Sequence, residues 1–485
     1  MAHEESFDLV VIGSGPAGES GAVAAAALGK RVLMVEKSPN LGGSSANTGT
    51  LPSKTLRETA LAFSGLKSRN LYGVDLSLKR EATISELMYH EKRVKTSERE
   101  RIRRNLAENG IELIRGTARF LDPHRVAVTP HHEVGFPIPQ ELLIRAQVIL
   151  IASGSSPVQP PEFPFPDHRV HDSDEILQLE CMPRTLLVVG AGVIGSEYAC
   201  TFAALGSKVT IIDGRTELLP FLDADVSEAL EQAMREHLGI LFRWGETVTT
   251  CTPSTDPGGP VLVTTNKGKQ LEFEGVLVAA GRFSNTADLN LEAAGLSPGS
   301  RGKLEVNARY QTSVPHIYAA GDVIGSPGLA ATSKEQARVA MCCAFDSGIK
   351  CEIAPLLPTG IYTIPEVSMV GAAEDELKAK GIDYVVGRAQ YAKNARGEII
   401  GDQFGFLKLI FRRDNRKLIG VHVVGEIASE VVHIGLMAML VDADIEIFNR
   451  ACFNYPTLGD LYKDACYDAL NKFEQPASQN TITPA

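Results

Sequence analysis

Short apolar runs, each closed by a glycine-rich turn, recur along the chain and set its rhythm. Phe7 to Ile12 reads Phe-Asp-Leu-Val-Val-Ile, a β-branched run of the kind that makes a parallel strand buried on both faces. Gly13-Ser-Gly15-Pro-Ala-Gly18 follows at once, then an Ala-rich helical stretch from Glu19 to Leu28, then a second run, Arg31 to Val35, that ends on Glu36. The same order returns further on: a strand from Thr185 to Val189, the turn Gly190-Ala-Gly192-Val-Ile-Gly195, a helix from Ser196 to Leu205, and a strand from Lys208 to Ile212 that ends on Asp213. In both copies the acid lies 23 positions beyond the first glycine, from Gly13 to Glu36 and from Gly190 to Asp213.

Strand, glycine turn, helix, strand and acid together make a βαβ dinucleotide unit. Gly13 and Gly190 permit the tight turn, Gly15 and Gly192 let backbone approach a pyrophosphate, Gly18 and Gly195 let helix and strand close up, and Glu36 and Asp213 accept from a ribose hydroxyl. A lone G-x-G-x-x-G is often only a tight turn; its flanking elements and its acid give it meaning here. The fold class is therefore α/β, with two Rossmann-like dinucleotide-binding domains. Two dinucleotides bound at once are what a hydride relay between a nicotinamide and a second carrier requires.

Elsewhere the pattern predicts helix over Thr55 to Leu66 and Thr83 to Asn109, and strands at Glu112 to Arg119, Arg125 to Thr129 and Ala146 to Ala152. Pro157 to Pro166 reads as a linker. After the second fingerprint the sequence reads as strand-rich to Phe273, and a helix runs from Ala330 through Ala344. Beyond Cys351 come strands Phe406 to Phe411 and Leu418 to Val424 and helices Ala428 to Leu440 and Leu458 to Lys472. The polar tail from Gln475 to Ala485 is expected to be disordered.

At 485 residues the chain exceeds what one core organises, and 44% apolar content is ample for several. A net charge of −11 argues against non-specific binding to nucleic acid or anionic membrane, which need basic surface. The first residues lack a basic region and an apolar region, and no apolar run reaches 18 residues, so a cytoplasmic address is expected. Eight cysteines, at 181, 200, 251, 342, 343, 351, 452 and 466, show no C-x-x-C or metal-ligand spacing and read as buried structural thiols, with no metal.

One stretch organises the remainder. Leu41-Gly-Gly-Ser-Ser-Ala-Asn-Thr-Gly-Thr-Leu-Pro-Ser-Lys54 resembles the G-G-x-C-x-N-x-G-C-x-P-S-K signature of the class I flavin disulfide reductases, the family of lipoamide dehydrogenase and glutathione reductase. Gly42, Gly43, Asn47, Gly49, Pro52, Ser53 and Lys54 match, whereas Ser45 and Thr50 stand where the thiols would be. Ala152-Ser-Gly-Ser155, Val276 to Arg282 and Thr312-Ser-Val-Pro-His-Ile-Tyr-Ala-Ala-Gly-Asp322 are similar to further family motifs, and the segment from Cys351 is similar to the family's dimerisation domain. The resemblance implies an FAD-binding domain in two parts (1–158 and 283–350), an NAD(P)-binding domain (159–282), an interface domain (351–474) and a tail (475–485). It also implies that FAD is contacted by Lys37, Gly43, Ser44, Ser45, Ser153, Gly154, Leu329, Ala330 and Asp322, the last on the ribityl chain, and that Gly281 is a further cofactor-binding residue. The helix beginning near Ala330 would aim its N-terminus at the pyrimidine edge of the flavin, where its dipole favours an anionic reduced ring. Val193 would gate the nicotinamide, and the catalytic pair would be Lys54, beside flavin N5, with Glu197.

A second departure accompanies the first. The family places His-Pro-Thr near its C-terminus, the histidine serving the dithiol of the partner subunit; here the segment reads Phe453-Asn-Tyr455-Pro-Thr-Leu-Gly-Asp460. A phenol, whose ordinary pKa is near 10, is a poor proton shuttle at neutral pH. A base for thiols is useless without thiols, so the two losses argue for one changed reaction. What remains is similar to the subgroup of soluble, Si-specific pyridine nucleotide transhydrogenases, which implies ping-pong hydride transfer between NADPH and NAD through FAD in a homodimer. Reduction of quinones or dyes by the same fold is the alternative. Arg215, two residues beyond Asp213, offers a reader for the 2′-phosphate of NADP beside a reader for the 2′-hydroxyl of NAD. His422 and His433 have no evident companions in the sequence and read as structural.

Overall fold

A computed structural model describes residues 4–64, 84–131, 140–349 and 352–474. β1 (Glu4–Ile12), α1 (Pro16–Ala27) and β2 (Val32–Glu36) open the chain, followed by α2 (Gly43–Asn47), α3 (Thr50–Phe63) and α4 (Ile84–Glu108). β3 (Glu112–Asp122), β4 (Arg125–Pro130) and β5 (Leu142–Ile151) come next. β1 pairs in parallel with β2 on one side and β5 on the other; β2 carries β3, and β3 to β5 continue antiparallel through β4. Leu9, Val10, Val11, Leu33 and Met34 are fully buried, as strands covered on both faces demand.

A crossing point follows. β6 (Ser155–Pro157) leads out to β7 (Val170–Asp172), β8 (Thr185–Val189), α5 (Val193–Ala204), β9 (Lys208–Asp213), α6 (Ala224–Leu238) and β10 (Leu241–Trp244). β11 (Val248–Pro253), β12 (Val261–Thr265) and β13 (Gln270–Phe273) form a three-stranded antiparallel sheet before β14 (Gly275–Val278) rejoins β7 and β8 in a parallel sheet. β15 (Arg282–Ser284) then pairs antiparallel with β6, so the outgoing and returning chains are tied together by one short ladder. β16 (Ile317–Ala319) adds to β5, and α7 (Ala330–Ala344) packs on α1.

The remaining sheet comprises β17 (Thr359–Ile361), β18 (Glu366–Gly371), β19 (Tyr384–Gln390), β20 (Phe406–Arg412) and β21 (Leu418–Gly425), wholly antiparallel in the order β17-β18-β21-β20-β19. Short helices α8 (Glu374–Ala379) and α9 (Ala395–Ile400) and longer α10 (Ala428–Leu440), α11 (Glu446–Arg450) and α12 (Leu461–Phe473) surround it.

Several sequence expectations are corrected. The stretch after Asp213 is not purely strand: α6 occupies 15 residues, with Val226, Leu230, Ala233 and Met234 buried. Those positions are i, i+4, i+7 and i+8, the spacing of one helical face, which the surrounding β-branched runs mask in the sequence. α3 begins at Thr50 rather than Thr55, so Lys54 lies inside a helix rather than at its start. Cys181 and Cys452 are exposed and Cys342 and Cys343 half-buried; of the seven described cysteines, Cys200, Cys251 and Cys466 are buried. Cys351 and the tail 475–485 fall outside the described residues.

Candidate active site

The two glycine turns have one backbone and two electrostatic designs. At Gly13, φ is +106° and a Cβ would lie 2.4 Å from the Ala152 carbonyl oxygen; at Gly190, φ is +103° and a Cβ would lie 2.6 Å from that of Ala279. Both positions therefore require glycine for the fold itself. The second glycines differ in kind. Gly192 has φ −75° and a Cβ there would meet nothing within 4 Å, and at Gly15 the nearest atom is Gly43 Cα at 3.9 Å. No fold contact demands glycine at these two sites; a Cβ would instead fill the space above the N-termini of α1 and α5, where unpaired backbone N–H groups and the helix dipole favour a pyrophosphate.

Glu36 is sealed. Its Oε2 accepts from the Ser14 backbone N–H at 2.8 Å and the Ser14 hydroxyl at 2.5 Å, and Oε1 accepts from the Ser38 N–H at 2.6 Å. Ser14 is itself fully buried, and its hydroxyl oxygen accepts from the Gly42 N–H at 3.0 Å, tying the first turn to the loop before α2. Asp213 has Ala191 in place of the serine, so the turn gives it only one backbone N–H, at 2.7 Å. The rest of its capacity goes to Arg215, whose N–H donates at 2.8 Å and whose guanidinium donates from Nε at 3.0 Å and from Nη2 at 2.6 Å. Burial opposes ionisation of Asp213, and the Arg215 and Ala191 donors outweigh it, holding the carboxyl below its ordinary value.

At the crossing point the chain assembles a second polar group. The Asp322 carboxylate accepts from the Ser155 hydroxyl at 2.8 Å. Arg282 donates to the Ser155 hydroxyl (2.8 Å) and carbonyl (2.7 Å), to Asp174 (3.0 Å) and to Ser44 Oγ (3.3 Å). Arg282 thereby joins the β6–β15 ladder to α2, a role not singled out from sequence; its signal was its place after Gly281, whose φ is +103°. Ser153 Oγ is buried with no hydrogen-bond partner among the described residues, and Gly154 faces open space with φ +72°. An unpaired buried hydroxyl beside an open glycine can bond a polar ligand, so this rim fits a bound FAD.

α2 and α3 carry the altered loop. The Asn47 amide donates to the carbonyls of Leu41 (3.0 Å) and Gly43 (2.8 Å), and its oxygen accepts from Arg99 of α4 at 2.7 Å. Ser45 is half-buried within α2 and Thr50 is exposed at the start of α3. One turn on, Lys54 Nζ lies 2.6 Å from Glu197 Oε2 of α5. Glu197 also accepts from the Tyr362 N–H at 2.8 Å, so one carboxylate links residues from all three major sheet systems. The Lys54 side chain is 26% exposed and that of Glu197 only 9%, so the lysine is the more open member of the pair.

Other named residues fall as follows. Lys37 is exposed and paired with Asp288 at 2.6 Å. Leu329 caps α7 in an extended conformation and Ala330 is its first residue, while Val193 is the first residue of α5. Tyr455 is 77% exposed and His433 is exposed. His422 does have companions, contrary to the sequence reading: it is fully buried, 3.0 Å from the Ala372 carbonyl and 3.4 Å from Asp223. Beside it Lys408, also fully buried, contacts Asp223 (2.8 Å), Asp225 (2.9 Å) and Glu374. The three carboxylates lie close enough to hold an ion, and the Lys408 ammonium is the cation among them. The group pins the start of α6 to β20 and β21, and burial pushes the His422 imidazole below its ordinary value.

Residues 7–337 match the pyridine nucleotide-disulphide oxidoreductase family and residues 357–466 match its dimerisation domain. The chain belongs to the pyridine nucleotide-disulphide oxidoreductase family. It is similar to a soluble pyridine nucleotide transhydrogenase of Mycobacterium bovis, 45% identical over 467 residues that cover 96% of this chain and 97% of the relative. A protein of the same name from Vibrio vulnificus is 40% identical over 476 residues, 97% and 100% of the two chains. Among solved structures, the HOCl-induced flavoprotein disulfide reductase RclA of Escherichia coli is 27% identical with a TM-score of 0.84, covering 95% of this chain and 99% of its own. LpdA of Mycobacterium tuberculosis is 26% identical with a TM-score of 0.86, covering 96% and 99%. The family therefore extends over nearly the whole chain, while the two positions that bear its redox thiols by resemblance carry Ser45 and Thr50.

Proposed function

We propose that this chain is an FAD-dependent pyridine nucleotide transhydrogenase that moves hydride between NADPH and NAD in a ping-pong cycle, without a redox disulfide. The observation that carries the reading is the Asp213–Arg215 pair, which puts an acceptor for a ribose hydroxyl and a donor for a ribose phosphate at the end of the same strand. Arg215 is 44% exposed at its side chain, and a pair that open to water contributes about 0–1 kcal/mol to folding, so a ligand phosphate can compete for the guanidinium. One pocket that reads both nucleotides must empty between them, which is what makes the cycle ping-pong.

FAD, when bound, supplies a two-electron carrier that accepts a hydride and later gives it up. The chain's own part is placement and charge. Gly15 and Gly192 leave room for two pyrophosphates above α1 and α5. Glu36, Ser153 and Asp322 would hold the FAD, and Lys54, held by Glu197, keeps a positive charge in the cleft between the two nucleotide sites. Neither Ser45 nor Thr50 can form a thiolate, so electrons have no onward path to a disulfide.

The working unit is a homodimer in the cytoplasm. The match to a dimerisation domain and the exposed apolar residues Met437, Leu440 and Val441 around the end of α10 support the first point, and the relatives' description as soluble supports the second. Initial velocities of thio-NAD reduction by NADPH should give parallel double-reciprocal lines, at rates above those with menadione. Menadione reduction with no measurable thio-NAD reduction would replace this reading by a quinone reductase.

A further inference from the structure

Helix α3 carries two cations, and both are held by one short segment of the C-terminal sheet domain. Lys54 pairs with Glu197, and the other oxygen of Glu197 accepts from the backbone N–H of Tyr362 at 2.8 Å. The Tyr362 ring faces the same ammonium, with Nζ 4.9 Å from the ring centroid. One turn further along α3, Arg57 is 3% exposed; its Nε donates to the Thr363 carbonyl at 3.1 Å and its Nη1 lies 3.1 Å from Glu366. Glu366 in turn accepts from the Ser429 hydroxyl of α10 at 2.8 Å, and the Tyr362 hydroxyl also bonds Ser429. Residues 362–366 thus lie against both α3 and α5, and Tyr362 touches both members of the Lys54–Glu197 pair.

This arrangement confines Lys54 from two sides. A lysine has four rotatable bonds, and one carboxylate at its tip fixes a distance but not a direction. The aromatic face supplies the missing direction, because an ammonium over a ring is drawn toward its centre. Glu197 has the complementary need: with one oxygen on Lys54 and the other on a backbone N–H, it cannot rotate without breaking a bond.

Resting on the function proposed above, we propose that Tyr362 is a positioning residue for hydride transfer, its ring and backbone N–H fixing the Lys54–Glu197 pair that spans the two nucleotide-binding units. The ring is the part a substitution can remove; the N–H survives in any residue but proline. Tyr362→Phe keeps ring and N–H, whereas Tyr362→Leu keeps only the N–H.

The test uses the full-length, flavin-loaded protein and two independent readouts. In the first, Tyr362→Leu lowers kcat for thio-NAD reduction by NADPH about tenfold with both KM values within about twofold, and Tyr362→Phe stays within about twofold on every constant. In the second, the rate of Lys54 acylation by acetic anhydride, read by peptide mass spectrometry, rises about threefold or more in Tyr362→Leu and not in Tyr362→Phe, because loss of the ring frees the ammonium. Flavin content is measured first; should Tyr362→Leu fail to retain flavin, Tyr362→Met, which fills more of the same volume without a ring, is read in its place. A kcat equal to wild type, a loss confined to KM, or a kcat loss without a change in Lys54 labelling would each overturn the proposal. The labelling needs no transhydrogenation, so it stands or falls even if the reaction proves to be another.

Discussion

The two dinucleotide turns share strand, glycine positions, helix and acid spacing, yet they are finished differently. In the first, the residue between the glycines is Ser14, which gives Glu36 both a backbone and a hydroxyl donor inside the protein. In the second it is Ala191, which gives Asp213 one donor and leaves the remainder to an arginine that is nearly half in water. A sealed carboxylate surrounded by fixed N–H and O–H donors is organised for one permanent ligand. A carboxylate partnered by a movable cation is organised for ligands that come and go and that differ by a phosphate. The contrast matches the division of labour in a hydride relay, in which one dinucleotide stays and the other exchanges.

The largest effect follows from the glycines. Gly13→Ala places a Cβ within 2.4 Å of a carbonyl oxygen at a φ of +106°, and it should abolish the folded flavoprotein, seen as loss of soluble yellow protein. Gly192→Ala meets nothing in the fold. It should give normal yield and full flavin content while raising KM for NADH and NADPH alike by about tenfold or more, since the added methyl occupies only the pyrophosphate space. Normal nicotinamide constants in Gly192→Ala would break the parallel between the turns.

Next in size are the two acids. Glu36→Gln removes the charge that three donors from Ser14 and Ser38 converge on, and a hydrogen bond to a charged group is worth about 1.5–3 kcal/mol, so the FAD dissociation constant should rise by about ten- to a hundredfold with nicotinamide constants unchanged. Asp213→Asn should reverse the pattern, keeping FAD and weakening NADH. Equilibrium dialysis and steady-state kinetics on the same preparations check both. Smallest of all is restoration of the thiols: Ser45→Cys combined with Thr50→Cys should yield no measurable reduction of lipoamide or glutathione disulfide, because Tyr455 still stands where the family carries its base. Measurable turnover of either disulfide would show that the thiols alone had been missing.

Much of this was legible in the sequence because the informative signals are local. A glycine turn between an apolar strand and an Ala-rich helix fixes its own geometry, and an acid 23 residues on has one place to go. α6 was lost because its buried face, Val226 to Met234, is short and lies between stretches of strand-forming residues. The companions of His422 come from residues as distant as Asp223 and Ala372, and the grip of Tyr362 on Lys54 joins positions 308 apart, 362 less 54. No periodicity reports contacts of that kind; they exist only once the third sheet has packed against α3 and α5. Arg282 lay in plain sight, but its value comes from Ser155, Asp174 and Ser44 arriving around it.

The account turns on whether one pocket reads two nucleotides through Asp213 and Arg215, and Arg215→Ala tests this most directly. Its KM for NADPH should rise by about tenfold or more, the equivalent of one lost charge-assisted bond to the 2′-phosphate, while its KM for NADH stays within about twofold of wild type. Equal changes for both nucleotides, or none for either, would mean that Arg215 does not read the phosphate and would contradict the account.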